Sequence, residues 1–469
     1  MAKRGDKSIP TGRVRRTAKV GALAGGQAAR TAATKAANVT RSPEAREEAL
    51  ERRQIQAAEQ IVNVLGSMKG AAMKVGQVAS FIDIGGLPPE ARDMFQAKLA
   101  ELRDSAPQVA FKDMRKVIES DLEQPLDEAF AEFDEEAVAA ASIGQVYRAR
   151  LHDGRRVAVK VQYPGVAQAV RADLQNMGLL LRAAKRMAPG LDAKAVGAEI
   201  RDRLTEELDY EHEAQSQRAM ARIWREHPFA VVPDVVTSLS RERVFVSEWV
   251  DGIGFERVKQ LPQDQRDRFG EIVFRFFIGS LWRTGFFSGD PHPGNYLLLE
   301  DGRVAFLDFG MTKKLSFEHL SGERELVRAA IEGDVDAFHA SVVEAGYYRP
   351  DDEIASPERV MAHAQALTAW EREDRDFTIS RDYIAQVVID SGDPRSEYWD
   401  MMRRGNVPVD ALLAGRMTGL TLAVLGQLNA TANWHRIVRE IVLDGPPGSP
   451  LGELEADFWD DARRRRRAA

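Results

Sequence analysis

Asp290, Asn295 and Asp308 follow one another at intervals of five and thirteen residues, within Gly289-Asp290-Pro291-His292-Pro293-Gly294-Asn295 and Phe306-Leu307-Asp308-Phe309-Gly310. Two carboxylates and an amide in this order suit phosphoryl transfer. One Asp orients an attacking hydroxyl or water, while the Asn and the second Asp hold the Mg2+ ions that bridge the phosphates. The chemistry needs no covalent nucleophile. It needs positioned negative charge for the metal and positive charge against the triphosphate. Taken singly, each segment reads equally well as a turn tripeptide or a Pro/Gly-rich loop. Their order and spacing, with a strand lysine upstream, give the chemical reading its weight.

That lysine is Lys160. Residues 139–149 and 157–161 form two strand-like runs joined by His152-Asp153-Gly154, the pattern of a hairpin with an Asp-Gly turn. Period-two alternation puts Val157, Val159 and Val161 on one face and Ala158, Lys160 and Gln162 on the other. Lys160 therefore points away from the valine face, as a phosphate-binding lysine must. Aligning Val146 with the valine of G-x-G-x-x-G-x-V puts Ala139 and Ala141 where the first two glycines stand and Gly144 at the third. Ala139, Ala140, Ala141, Ser142, Gly144 and Val146 are thus the expected nucleotide loop. Alanine adds a Cβ that limits close approach of backbone N–H groups to phosphate, so this loop should grip terminal phosphates less intimately.

Positioning these groups requires a strand-rich part ahead of a helical part. Residues 43–105 read as helices, with Ser42-Pro43-Glu44 as a cap and Ile55, Ile61, Leu65, Met68, Met73 and Val78 at helical intervals. Helix is again expected over Phe111–Ala131. A helical insert follows from about Pro164, and Val231–Val236 and Arg243–Glu248 are read as strands resuming the sheet. Trp249–Gly252 reads as a hinge, with Glu248 and Val250 expected against the nucleotide. Val273, Phe276, Phe277 and Leu281 make an apolar stripe on a helix that Gly285 ends. Beyond Asp308 the reading gives helix over Glu325–Tyr347, a polar stretch over Trp370–Tyr398, an apolar helix over Leu412–Leu428 and a frayed tail. The resulting layout is a basic arm (1–41), a helical extension (42–110), an N-lobe (111–248) with an insert at about 164–205, a C-lobe (249–446) and a flexible tail (447–469).

At 469 residues, with 44% apolar and 29% charged residues, the chain has room for several cores. It contains no cysteine, which excludes disulfides, thiolate metal sites and cysteine nucleophiles. The net charge of -7 is strongly segregated: residues 1–41 carry +9 and Arg463–Arg467 +5, leaving -21 over 42–462. An acidic body argues against nucleic acid as a ligand. No run of 18 apolar residues exists, so no membrane-spanning helix is expected, and the protein is placed in the cytoplasm or at the inner membrane surface. The basic ends are expected to touch anionic lipid reversibly, at roughly 1 kcal/mol per charge close to the surface.

Together these residues resemble the UbiB family, also called AarF, of atypical protein-kinase-like proteins, from about Ile55 to Leu428. Lys74-Val75-Gly76-Gln77 is similar to the family's KxGQ signature, Ala139–Ser142 to its alanine-rich loop, and Lys160–Gly165 and Asp290–Asn295 to its other motifs. The resemblance implies a bilobal kinase-like α+β fold and a damped, unorthodox kinase using ATP or ADP with Mg2+. Nucleotide binding and ATPase turnover are better supported than transfer to proteins. It further implies a lipid or quinone-like small-molecule partner and a role in isoprenoid-quinone metabolism. In the family pattern Lys74, Gly76 and Gln77 lie on a block folded over the cleft, with Lys74 paired to Glu207 or Asp209, and Glu213 holds Lys160. Spacing alone does not separate Glu213 from Glu206 or Glu211. Two departures from kinase pattern stand out: Ser288 where histidine is common, and the lack of an Ala-Pro-Glu element.

Overall fold

The computed structural model describes residues 109–140, 143–171, 205, 208–392, 395–402, 404–406 and 408–468. The expected helices over 43–105, the basic arm and most of the insert lie outside the described residues. The chain divides into two compact units, one built from residues up to His212 with Val236–Glu248, the other from Glu213–Val235 and Trp249 onward.

The first unit is a five-stranded antiparallel sheet. Strands β1 (Glu132–Phe133), β3 (Gly144–Arg150), β4 (Arg156–Gln162) and β6 (Val244–Glu248) run side by side, and β2 (Ala139–Ala140) also pairs with β3. The Asp153-Gly154 turn forms as expected, with Gly154 at φ +87°. The register sets Lys160 opposite Val146 and Phe245. Val157, Val159 and Val161 are completely buried, as the alternation required. Helix α1 (Phe111–Leu122) buries Met114, Val117, Ile118 and Leu122, an i, i+3, i+4, i+8 stripe. It ends at Glu123 in the left-handed region, two residues before Pro125. Arg243 donates from its backbone N–H and Nε to the Asp121 carboxylate at 2.8 and 2.9 Å, tying the start of β6 to α1.

The second unit opens on most of helix α2 (Tyr210–Ile223). The expected strand over Val231–Val236 is corrected here. Ala230–Val231 (β5) pairs in parallel with β10 (Val304–Phe306) in a separate sheet ordered β5, β10, β9 (Tyr296–Leu298), β7 (Ile253–Gly254), and only the end of the expected strand meets the first sheet, where Val236 N–H donates to the Val246 carbonyl at 2.8 Å. Pro233 has no N–H to continue a ladder, and its carbonyl accepts from Gln217 Nε2 at 2.8 Å.

Helix α3 (Gln263–Gly279) replaces the expected single stripe with burial on every side from Phe269 to Gly279. The polar members of that run, Glu271 and Arg275, are bonded to each other at 2.7 Å. A π turn over Ser280–Thr284 follows, closed by Gly285 at φ +68°. Strands β8 (Phe286–Ser288) and β11 (Thr312–Lys314) pair with Ser288 opposite Thr312.

Helices α4 (Phe317–Glu332) and α5 (Val335–Glu344) take the place of one expected helix. Gly333 at φ +72° breaks it, and Asp334 caps α5 through Ala337 N–H at 3.0 Å. Helix α6 (Pro357–Leu367) follows, and the expected polar stretch holds β12 (Phe377–Ile379) and helix α7 (Arg381–Gly392). Helix α8 (Val409–Leu428) matches the expected apolar helix, and β13 (Ala430–Ala432) returns to pair with β12. Helix α9 (Trp434–Leu443) comes next. The expected frayed tail is instead helix α10 (Pro450–Ala468), whose Leu451, Glu455 and Trp459 are buried at i, i+4 and i+8.

Candidate functional site

In the second unit one short hairpin, β9–β10, and the β8–β11 ladder that encloses it in sequence converge on the chemistry-bearing residues. The β9–β10 register sets Tyr296 opposite Phe306, and Leu307 N–H donates to the Asn295 carbonyl at 2.8 Å, so Asn295 lies across the ladder beside Asp308. On the other side, Gly289 N–H donates to the Met311 carbonyl at 2.7 Å, which draws Asp290 toward the Asp308–Gly310 segment. Internal bonds fix the loop between them. His292 Nδ1 accepts from Gly294 N–H at 3.1 Å, and the Tyr296 hydroxyl donates to the Pro291 carbonyl at 3.0 Å. Burial, with the Asp290 charge adding, raises the Tyr296 phenol well above its ordinary range, so it remains a donor.

Asp308 Oδ1 accepts Gly310 N–H at 3.0 Å, and Phe309 is completely buried against α3. A Cβ on Gly310 would lie 3.5 Å from Asp308 Oδ1 and 3.9 Å from Glu213 Oε2, so both carboxylates flank that glycine. Three residues beyond Glu213, Ser216 Oγ is bonded to Thr312 Oγ1 at 2.9 Å, which docks α2 on the segment. Glu213 is buried and Glu211 exposed, a distinction that spacing left open; Glu206 lies outside the described residues.

Ser288, the residue in place of histidine, is buried, and its Oγ accepts Asp290 N–H at 3.4 Å. Sequence reasoning missed Arg416. Its Nη1–H donates to the Gly289 carbonyl at 3.0 Å, and its Nη2 stands 3.9 Å from Asp290 Oδ1. The signal was present, since Arg416 is the only charge between Ala411 and Leu428. Helix α8 passes so close that a Cβ on Gly289 would meet Leu413 at 2.6 Å.

The first unit carries the remaining described candidates. Ala139 and Ala140 are exposed and extended, opposite Val146 and Gln145. Gly144 has no room for a side chain, since a Cβ would lie 2.2 Å from the Val161 carbonyl oxygen. Lys160 Nζ sits 5.0 Å from the centre of the Tyr210 ring. Glu248 ends β6 opposite Val157. Asp209, expected as a partner of Lys74, caps α2: its Oδ1 accepts Glu211 and His212 N–H at 2.9 and 3.2 Å. Val250 belongs to the second unit and is half-buried. Lys74, Gly76, Gln77, Ala141, Ser142 and Glu207 lie outside the described residues.

Among the described residues no cluster of three or more His, Asp or Glu could hold a metal by itself. The Asp308 carboxylate and Asn295 amide instead supply a small set of hard oxygens, which fits Mg2+ that takes its other ligands from phosphate and water.

The ABC1 atypical kinase-like domain family matches residues 101–342. The rat (Rattus norvegicus) mitochondrial atypical kinase COQ8B is 34% identical over 280 residues, 60% of this chain and 52% of that protein. The yeast (Saccharomyces cerevisiae) mitochondrial atypical kinase COQ8 is 28% identical over 389 residues, 82% of this chain and 75% of that protein. The chain thus spans about half the length of several curated relatives it matches. Among solved structures, the Rv3197–erythromycin complex from Mycobacterium tuberculosis superposes with a TM-score of 0.62 at 30% identity, covering 84% of this chain and 98% of that one. With its bilobal kinase-like α+β fold, the chain belongs to the ABC1 atypical kinase-like family, the group also known as UbiB or AarF.

Proposed function

We propose that the protein is a Mg2+-dependent, ATP-binding atypical kinase or ATPase that works on or near membrane lipid, in support of isoprenoid-quinone or related lipid metabolism. The observation that carries this reading is the convergence of the β9–β10 hairpin and the β8–β11 ladder on Asp290, Asn295 and Asp308. Asp308 and Asn295 hold Mg2+, Asp290 orients the attacking hydroxyl or water, Lys160 contacts the α/β-phosphates and Glu213 positions the lysine. Bound Mg·ATP supplies the transferable phosphoryl group. The protein's part is to place oxygens and charge around it. Ala139 and Ala141 soften the grip on terminal phosphates, which favours turnover to water or a small molecule over a protein acceptor.

The basic ends give reversible contact with anionic lipid. Among the described residues no helix is long and apolar enough to cross a membrane. A lipophilic small molecule is the expected second ligand, and erythromycin, found with the solved M. tuberculosis relative, is a ready first probe.

The test is Mg·ATP and Mg·ADP binding by wild type and Asp308→Asn. Weaker binding by the variant is expected, and equal affinities would remove the metal assignment. A nucleotide-gated scaffold is the alternative that the alanines favour. A deletion strain rescued by Asp290→Asn would select it over the enzyme.

A further inference from the structure

The face of β4 that carries Lys160 also carries Gln162, and the two differ sharply in surroundings. Lys160 is half-buried, whereas Gln162 is only 1% exposed. A buried primary amide needs partners for both its N–H donors. Gln162 Nε2 finds them in the Leu208 carbonyl at 2.8 Å and the Glu242 carbonyl at 3.1 Å, and Gln162 N–H donates to the Arg243 carbonyl at 3.0 Å. The Glu242 carbonyl also accepts Tyr210 N–H at 3.0 Å. One side chain two residues beyond the lysine therefore fixes where α2 begins, and the Asp209 cap holds its first turn.

The first residue of that helix is Tyr210, itself 1% exposed. Its ring centre lies 5.0 Å from Lys160 Nζ, inside the range in which a cation is drawn to an aromatic face. Its hydroxyl end reaches to 3.1 Å from the point where a Cβ on Gly144 would sit. The ring thus spans from the lysine to the third glycine position of the loop.

We propose that Tyr210 is a positioning residue for Lys160, its buried ring directing the ammonium toward phosphate and Gln162 setting the ring's place. A lysine on a four-carbon stem has many rotamers to lose. An aromatic face restricts them without using up an N–H donor and without neutralising the charge that phosphate requires. This inference rests on the reading of Lys160 as the phosphate contact.

The experiment compares the affinities of the full-length protein for Mg·ATP and for adenosine, which shares the base and sugar but offers Lys160 no phosphate. Lys160→Met is expected to weaken Mg·ATP and spare adenosine. Tyr210→Leu and the longer, unbranched Tyr210→Met are expected to do the same, by roughly 5- to 30-fold on Mg·ATP, with Tyr210→Phe restoring affinity because the ring remains. Gln162→Met should move the ratio the same way by a smaller factor. The proposal is overturned if Tyr210→Leu and Tyr210→Met keep the wild-type ratio while Lys160→Met loses it, or if they weaken both ligands equally, which marks a purely structural role. An unchanged ratio in Lys160→Met would instead remove the underlying phosphate assignment, and the inference with it.

Discussion

Arg275 and Glu455 are 180 residues apart and meet at 2.7 Å inside the second unit, with side chains essentially inaccessible to water. Arg275 also reaches Glu271 and Glu440 at 2.7 and 2.8 Å, and Ser449 Oγ at 2.9 Å. Removing one partner of a buried pair leaves the other desolvated and uncompensated, at about 3–5 kcal/mol. Glu455→Gln is therefore expected to lower Tm and to release α10 to proteolysis. A variant as stable and as protease-resistant as wild type would show that the network does not hold the helix.

The same carboxylate predicts acid sensitivity. Burial pushes Glu455 up, but the His227 hydrogen bond and the Arg275 and Arg283 charges outweigh it and hold it at about 2, against an ordinary 4.5. Its folded value lies below the unfolded one, so its contribution is complete above about 4.5 and is lost as pH falls toward about 2. Stability measured by denaturant titration should drop through that window in wild type and less steeply in Glu455→Gln.

Glu371 predicts the opposite slope. Complete burial raises it from 4.5 to about 8, although a Thr368 hydrogen bond pulls the other way. It folds neutral, so its stabilising balance is full below about 4.5 and erodes as pH rises toward about 8. Glu371→Gln keeps the shape and removes the titration. Its Tm advantage over wild type is expected to grow between pH 5 and 8, by an amount on the order of a few kcal/mol in stability. A difference that stays constant with pH would count against the buried neutral acid.

Gly289→Ala should be costly because its new Cβ would strike Leu413 at 2.6 Å. Overpacking of this kind costs about 1–3 kcal/mol. A second change, Leu413→Ala, should recover part of the loss, and a double-mutant cycle on Tm reads the coupling. Additive effects would mean that α8 does not confine the loop.

Arg416 donates to the Gly289 carbonyl beside Asp290, so its removal should disturb turnover more than nucleotide capture. Arg416→Ala is expected to lower kcat by about ten- to a hundredfold with a smaller change in KM for ATP, and Arg416→Lys should recover part of it. A pure KM effect would move Arg416 from the chemistry to binding.

What could be read from the chain alone was local. The Asp153-Gly154 turn, the valine face of β4 and the apolar helix α8 follow from spacing within a few residues. The Asp290–Asn295 loop and the Asp308 segment were recognisable because Asn295 and Asp308 flank one short hairpin, β9–β10, thirteen residues apart. Long-range partners were not legible. β5 was assigned to the wrong sheet because its ladder is set by β10, more than 70 residues on. The helix at Pro450–Ala468 was read as tail because Glu455 looks like an ordinary solvated acid until Arg275 is placed beside it. The all-round burial of α3 from Phe269 to Gly279 was hidden for the same reason. Arg416 was overlooked as a lone charge whose partners lie 126 and 127 positions upstream.

The π turn at Ser280–Thr284 sets the angular phase of all that follows it. An α-helix advances about 100° per residue, so one residue added by widening a turn swings the outgoing chain by that angle. Gly285 and β8 leave at the orientation that buries Phe287 and Ser288 and brings Gly289 to Met311. Deleting a single residue within 280–284 would straighten the spiral yet aim the loop away from its counterpart, so the placement of the Asp290 loop is governed by a count of residues as much as by their identity.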